Sequence, residues 1–305
     1  MNPILVIGAT GTVGRQVVSQ LIAAGSPVRA MTRNPDAAKL PPQVQIVRGD
    51  LTVPETLDAC LDNTDAVFLV WTALPSAVAP ALQRITQRAR RIVYLSAPLK
   101  TPHPLFQQPN LLRSMFEQIE RTVETSGAPW TFLRPGMFAA NALLWWAPQI
   151  RAGNIVRWPY LAVPTAPIDE RDIAAVAVRA LREEGHAGAE YVLTGPQSLT
   201  HSEQISTIAK VLGRDRVSKK SLPAKRAANS SPSARSPPST CSSMPGPPPS
   251  ATPPTSHPSS RKSLAHPQNP FAPGSPTTSP PFAREAKGQS HRAERPRPVV
   301  PCRAI

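Results

Sequence analysis

Near-continuous apolar runs rich in β-branched residues recur at Ile4 to Ile7, Val28 to Met31, Val44 to Val47, Ala66 to Val70, Ile92 to Leu95 and Trp130 to Leu133. A strand buried on both faces has this pattern, whereas a strand with one wet face alternates. The intervals hold helix-length segments: Val13 to Ala24, Pro54 to Leu61, Ser76 to Arg88 and Leu111 to Ser126. Parallel strands need crossovers of about a dozen residues or more, so repeated strand, helix, strand predicts a parallel sheet with helices on both faces. Beyond the sixth run the pattern predicts an aromatic helix from Phe138 to Ile150, a helix from Asp172 to Arg182, a strand at Tyr191 to Leu193 and a helix from Thr200 to Leu212. These four are expected to build a small substrate-side lobe over residues 137–216. Thr52 with Glu55, and Thr200 with Glu203, have the spacing of a capping box, and Gly213 stands where the last helix should stop.

Composition changes abruptly at Val217. Of the chain's 34 Lys and Arg and 19 Asp and Glu, residues 1–216 carry 21 and 17, and residues 217–305 carry 13 and 2. The net charge of +15 is thus mostly a property of the tail. The first part has no helix or strand studded with cations among aromatics, which argues against nucleic-acid contact by the folded domain. The tail holds 20 of the 39 prolines, many serines and few aliphatics. Such a segment cannot bury enough apolar surface to offset its ordering entropy, so residues 217–305 are expected to be disordered. Two origins fit: a basic, proline-rich interaction tail, or translation out of frame. A frame beginning at the third base of each codon permits the acidic, amphipathic string FEEISPGEARRELLA over residues 217–232, and the frameshift is the preferred reading. On that reading the helices that complete the substrate lobe are missing.

Met1-Asn2-Pro3 runs directly into the first strand with no basic leader, and the uncharged stretch from Ala66 to Leu82 is broken by Pro75 and Pro80. Cys60, Cys241 and Cys302 lack metal-ligand spacing, and His103, His186 and His201 are isolated. A soluble, cytoplasmic protein with no membrane partner and no metal is expected.

Gly8-Ala9-Thr10-Gly11-Thr12-Val13-Gly14 directly follows the first strand and opens a helix. In a dinucleotide-binding turn the first glycine permits the tight bend, the second lets backbone approach the pyrophosphate, and the third lets helix pack on strand. The free N–H groups of the helix then face the phosphates. The fold expected is therefore α/β, a Rossmann-type doubly wound parallel sheet with the small C-terminal lobe and the disordered Pro/Ser-rich tail. A Walker loop is excluded because no Gly-Lys-Ser/Thr follows. Where NAD-specific sites carry an acid after the second strand, this chain has Thr32-Arg33-Asn34. A guanidinium pairs with a 2′-phosphate that a carboxylate would repel, so NADP(H) is expected ahead of NAD(H). Asp50, in Gly49-Asp50-Leu51, is placed either to meet the adenine amino group or to cap the next helix.

GATGTVG, the arginine after strand two, GDL after strand three, SGAPWTFLRPGMF (Ser126 to Phe138), PIDERDIAAVA (Pro167 to Ala177) and YVLTGPQSLTHSEQISTIAKVLGR (Tyr191 to Arg214) together resemble the NmrA-like atypical short-chain dehydrogenases. The chain is similar to the quinone-reductase and azoreductase-like members over almost all of residues 1–216. The resemblance implies a cofactor site of Gly8, Thr10, Gly11, Thr12, Val13, Gly14, Arg33, Asp50, Leu51, Val70, Trp71 and Ser96. It also implies an acceptor pocket after the Arg134-Pro135-Gly136 turn, formed by Phe138, Asn141, Trp145 and Trp146, whose rings suit flat molecules. The same aromatics would equally serve as core between the lobes.

Typical members use a Tyr-x-x-x-Lys pair to move a proton while hydride transfers. Here Tyr94, Tyr160 and Tyr191 are followed four residues later by Pro98, Pro164 and Gly195. Aligning Glu120 with the glutamate of epimerase-like sequences puts Leu112 and Phe116 at the Tyr and Lys positions, and neither side chain transfers a proton. No catalytic residue is assigned, and Ser96 reads as a strand-end cap. Two routes remain: hydride transfer to a small-molecule acceptor that needs no protein acid, such as a quinone, or a non-catalytic NADP(H) sensor working through a protein partner. Asp169 and Asp172 are expected to start the following helix rather than to form a catalytic pair.

Overall fold

The computed structural model describes residues 2–100, 110–214 and 218–221. Six strands, β1 (Ile4–Ile7), β2 (Val28–Thr32), β3 (Gln45–Arg48), β4 (Ala66–Leu69), β5 (Ile92–Leu95) and β6 (Trp130–Pro135), coincide with the six apolar runs. With β9 (Ala189–Leu193) they form a seven-stranded sheet in the order β3-β2-β1-β4-β5-β6-β9, parallel throughout. The chain leaves β1 toward β2 and β3, then crosses back to β4. That reversal opens a crevice at the carboxyl ends of β1 and β4, where doubly wound sheets bind ligands.

Helices α1 (Thr12–Ala23) and α7 (Glu170–Arg182) cover one face of the sheet. Their Val13, Val17, Leu21, Ile173, Ala177 and Leu181 bury against Val6, Phe68 and Val93. On the other face α2 (Leu57–Leu61), α3 (Val78–Arg88) and α4 (Leu111–Thr125) pack Leu57, Leu82, Ile85 and Ile119 on Leu5, Leu69 and Phe132. β1, β4 and β5 are buried at every position because both their sides are covered, whereas the edge strand β3 leaves Gln45 and Arg48 exposed.

A smaller lobe comprises α5 (Asn141–Trp145), α6 (Ala147–Ala152), β7 (Ile155–Trp158), β8 (Pro164–Thr165), β10 (Leu199–Thr200), α8 (His201–Val211) and β11 (Ser218–Ser221). Its core is Trp146, Ile150, Val156, Ile205 and Ala209. The expected lobe is thereby corrected in content. The 170–182 helix lies against α1, and the strand ending at Leu193 extends the main sheet beside β6, so both belong to the larger domain. The single aromatic helix expected from Phe138 is two short ones meeting at Trp146, because Pro148 sits at the start of α6 and breaks the preceding turn.

Of the two capping boxes, only that of α8 forms. The Thr200 hydroxyl accepts from the Glu203 amide at 3.1 Å, and the Glu203 carboxylate accepts from the Thr200 amide at 2.7 Å. Thr52 forms none because the following single turn of 3-10 helix is capped at Val53, one residue later, with no side-chain cap, while the Thr52 hydroxyl donates to Asp50 Oδ1 at 2.8 Å. Thr200→Ala is therefore expected to cost about 1 kcal/mol, whereas Thr52→Ala removes no cap. Thermal unfolding should show a melting temperature lower by about 2–4 °C for the first and little change for the second.

β11 pairs in parallel with β7, so four residues just past the expected boundary at 216 are ordered. The rest of the proline-rich segment, and with it the expected disorder and frameshift, lies outside the described residues. All described residues fall in one unit of the chain.

Candidate dinucleotide site at the carboxyl edge of the sheet

The turn after β1 is built by close approach. Gly8 has φ +86°, which favours glycine, and the Gly11 amide donates to the Gly8 carbonyl at 3.0 Å. A Cβ on Gly14 would lie 2.1 Å from the Gly8 oxygen, so only glycine lets α1 start this close to the strand. Gly11 caps α1 in an extended conformation with no side-chain hydrogen bond, and no acidic residue stands in the first turn. Thr10, Gly11 and Thr12 are exposed, while Val13 is buried in the core. The amino end of α1 therefore presents unbonded N–H groups and a partial positive charge at the crevice, with nothing anionic in its own first turn. That arrangement fits a pyrophosphate.

Arg33 follows β2 and is exposed. Its guanidinium is near enough to Asp50 to contribute to holding that carboxyl below the usual range. The larger cause is the Thr52 amide, which donates to Asp50 Oδ1 at 2.9 Å; partial burial opposes the shift and the Thr52 hydroxyl assists it. Asp50 is thus occupied by its own turn, and it does not cap the next helix. Leu51 is buried in the core with Leu57 and Leu69. Arg15, which sequence reading passed over, ties the edge together: its Nε donates to the Thr10 carbonyl at 2.8 Å and its Nη1 to the Lys39 carbonyl at 3.0 Å. The segment after β2 is thereby pinned to the phosphate turn.

On the other side of the crevice, Val70 packs beneath Gly8, and its amide donates to the Ile7 carbonyl at 3.2 Å. Trp71 is buried and donates from Nε1 to the Ala73 carbonyl at 2.9 Å. Ser96 ends β5, next in line. Its hydroxyl donates to Glu120 Oε1 at 2.6 Å. Arg134 in β6 grips the same carboxylate, Nε to Oε1 at 2.9 Å and Nη2 to Oε2 at 2.6 Å, and reaches Glu190 of β9 with Nη1 at 2.5 Å. Lys100 completes the chain of charges on Glu190 at 2.9 Å. Burial opposes the charge on Arg134, but the two carboxylates outweigh it and raise its pKa. Burial likewise opposes ionisation of Glu190, and Lys100 with Arg134 still holds that carboxyl below the usual range. Sequence reading had Glu120 only as an alignment marker; no local signal announced that a strand arginine would stay buried to meet it.

The four aromatic-pocket candidates are not equivalent. Trp146 is 1% exposed and forms the lobe core with Trp158 and His201, ring centroids 5.9 and 5.6 Å away. Trp145 stacks on Trp158 at 5.0 Å and is half-buried, as are Asn141 and Phe138. Phe138 packs against the α7 side of the main core. Leu143 and Leu144, absent from the expected set, are the exposed apolar residues of α5. Asp169 accepts from the Arg171 amide at 2.8 Å and starts α7, as expected. Among the described residues no helix is long and apolar enough to cross a membrane.

A parallel sheet with a glycine turn and an uncapped helix at its switch point defines a dinucleotide-binding protein. The chain matches the NAD(P)H-binding family over residues 8–184 and belongs to that family. It is 40% identical over 217 residues to a (4-alkanoyl-5-oxo-2,5-dihydrofuran-3-yl)methyl phosphate reductase of Streptomyces griseus, covering 69% of this chain and 74% of the relative. It is 36% identical over 219 residues to an NAD(P)H azoreductase of Xenophilus azovorans, with the same coverage. The triphenylmethane reductase of Citrobacter sp. complexed with NADP(H) has the same fold, with a TM-score of 0.65 and 22% identity over 74% of this chain and 81% of its own. So does an NADPH-dependent quinone oxidoreductase of Escherichia coli, with a TM-score of 0.61 and 24% identity over 72% of this chain and 78% of its own.

Proposed function

We propose that the protein is an NADPH-dependent oxidoreductase that passes hydride directly to a small, flat, apolar acceptor such as a quinone. The observation that carries this reading is the carboxyl edge itself: an uncapped helix terminus at the switch point, with an exposed arginine directly after β2 where an acid would stand in an NAD-specific site. The reductase names of the two curated relatives support the chemistry.

The unbonded N–H groups of residues 12–14 at the start of α1 hold the pyrophosphate, and Arg33 pairs with the 2′-phosphate. Arg15 keeps the two segments in register. The adenosine half lies toward Asp50, which leaves the other half to run over Val70 and Trp71 toward Ser96. Bound NADPH supplies the hydride. Phe138, Asn141 and Trp145 form the acceptor wall, and Trp146 backs it from the core. The protein contributes binding, orientation and exclusion of water rather than an acid.

Arg33→Asp tests the cofactor assignment. Loss of a charge-assisted contact and gain of a repulsion should weaken NADPH by about 10–100-fold and leave NADH within a few-fold. Titration of both cofactors reads this directly; an unchanged NADPH affinity would overturn the assignment.

A further inference from the structure

We propose that Glu120 and Arg134 act as positioning residues that fix Ser96 as a hydrogen-bond acceptor for the carboxamide N–H of the nicotinamide. The inference rests on the dinucleotide reading above and assigns the polarity of its far end.

Ser96 lies two strands from the phosphate turn, beyond β4, so neighbouring strand spacing puts it roughly 10 Å along the edge from Gly8. Its backbone amide is held by the Leu133 carbonyl at 2.8 Å. A hydroxyl has one hydrogen and two lone pairs, and the Ser96 hydrogen is already given to Glu120 at 2.6 Å. Rotating it away would leave Glu120 Oε1 with one fewer donor in a site where Ser96, Glu120 and Arg134 are all buried. A carboxylate clamped by a guanidinium through two nitrogens can only accept, so the direction of the Ser96 bond is not reversible.

Ser96 therefore offers lone pairs to the cofactor edge. An oxidised quinone or dye carbonyl has lone pairs of its own and finds no donor there. The carboxamide NH2 of a nicotinamide is a donor and matches. The same polarity removes Ser96 as an acid for the reduced acceptor.

The test compares NADPH with 2′,5′-ADP, which keeps the adenosine phosphates and lacks the nicotinamide, by calorimetric titration of the full chain. Ser96→Ala should weaken NADPH about fivefold and leave 2′,5′-ADP unchanged. Glu120→Gln should give a similar selective loss, and adding Ser96→Ala to it should cost nothing more, since the two substitutions remove one interaction. Equal losses for both ligands would mean a merely structural role and overturn the proposal, as would an NADPH affinity untouched by Ser96→Ala. Ser96→Ala deletes a single oxygen and carries the test alone where Glu120→Gln does not fold. Wild-type protein that binds neither ligand would instead overturn the dinucleotide reading, and this inference with it.

Discussion

Gly14→Ala should abolish measurable NADPH binding in the concentration range that saturates the wild type. The added Cβ would stand 2.1 Å from the Gly8 oxygen, 2.7 Å from the Gly8 carbonyl carbon and 3.0 Å from the Ala9 Cα. All three are backbone atoms in the turn itself, so no side chain can move to make room. Helix α1 must instead shift by about 1 Å from β1, and a misplacement of that size costs on the order of 100-fold where aimed groups act together. The N–H groups at the start of α1 would then point past the pyrophosphate. Gly153→Ala is the matched control, because Gly153 is extended and a Cβ there meets nothing within 4 Å. Ligand that binds only the folded state raises the melting temperature, so thermal unfolding with and without NADPH separates the two variants. The rise should persist in Gly153→Ala and vanish in Gly14→Ala.

Arg134→Met should be the most destabilising single change at the far end of the edge. Its guanidinium is 2% exposed and serves two carboxylates that are themselves 9% and 7% exposed. Removing it leaves Glu120 without its cation and takes one of the cations from Glu190. Breaking a buried pair by deleting one partner costs about 3–5 kcal/mol, far more than the pair contributes relative to apolar replacements. The melting temperature should fall by about 10 °C. Combining Arg134→Met with Glu120→Gln should recover part of the loss, because the second change removes the stranded charge. A double variant that is worse than the single would show that packing, not charge, dominates at this position.

Much of this molecule is legible in its sequence for a physical reason. A strand covered on both faces must be apolar on both faces, and a turn that packs backbone on backbone must be glycine. The central strands β1, β4 and β5 and the Gly8 to Gly14 turn follow from those two constraints, whereas the edge strand β3 exposes Gln45 and Arg48. What escapes is set by partners distant in sequence. The helix ending at Arg182 and the strand ending at Leu193 have patterns that fit either lobe, and only burial against α1 and β6 assigns them to the sheet. Thr52 and Thr200 have the same spacing to a glutamate, yet the turn after Thr52 is capped at Val53, one residue later, whereas Thr200 itself stands at the cap of α8.

The site divides the same way. The glycine turn is local and legible as a single contiguous motif, with Arg33 directly after β2. The Ser96 end of the edge joins β5, α4, β6 and β9, so Ser96, Glu120, Arg134 and Glu190 meet only once the sheet has formed. Trp145 and Trp146 are adjacent in sequence, but the break between α5 and α6 sends Trp146 into the lobe core and leaves Trp145 half-buried.

The most direct test of reductase function is stopped-flow absorbance at the NADPH band, with purified protein, saturating NADPH or NADH, and a panel of quinones. Oxidation of NADPH that depends on both protein and acceptor, and outpaces NADH by at least about tenfold, is the predicted result. Tight NADPH binding with no oxidation above the protein-free rate for any acceptor would contradict it and favour a cofactor-binding sensor or a substrate lobe disabled by the altered C-terminus.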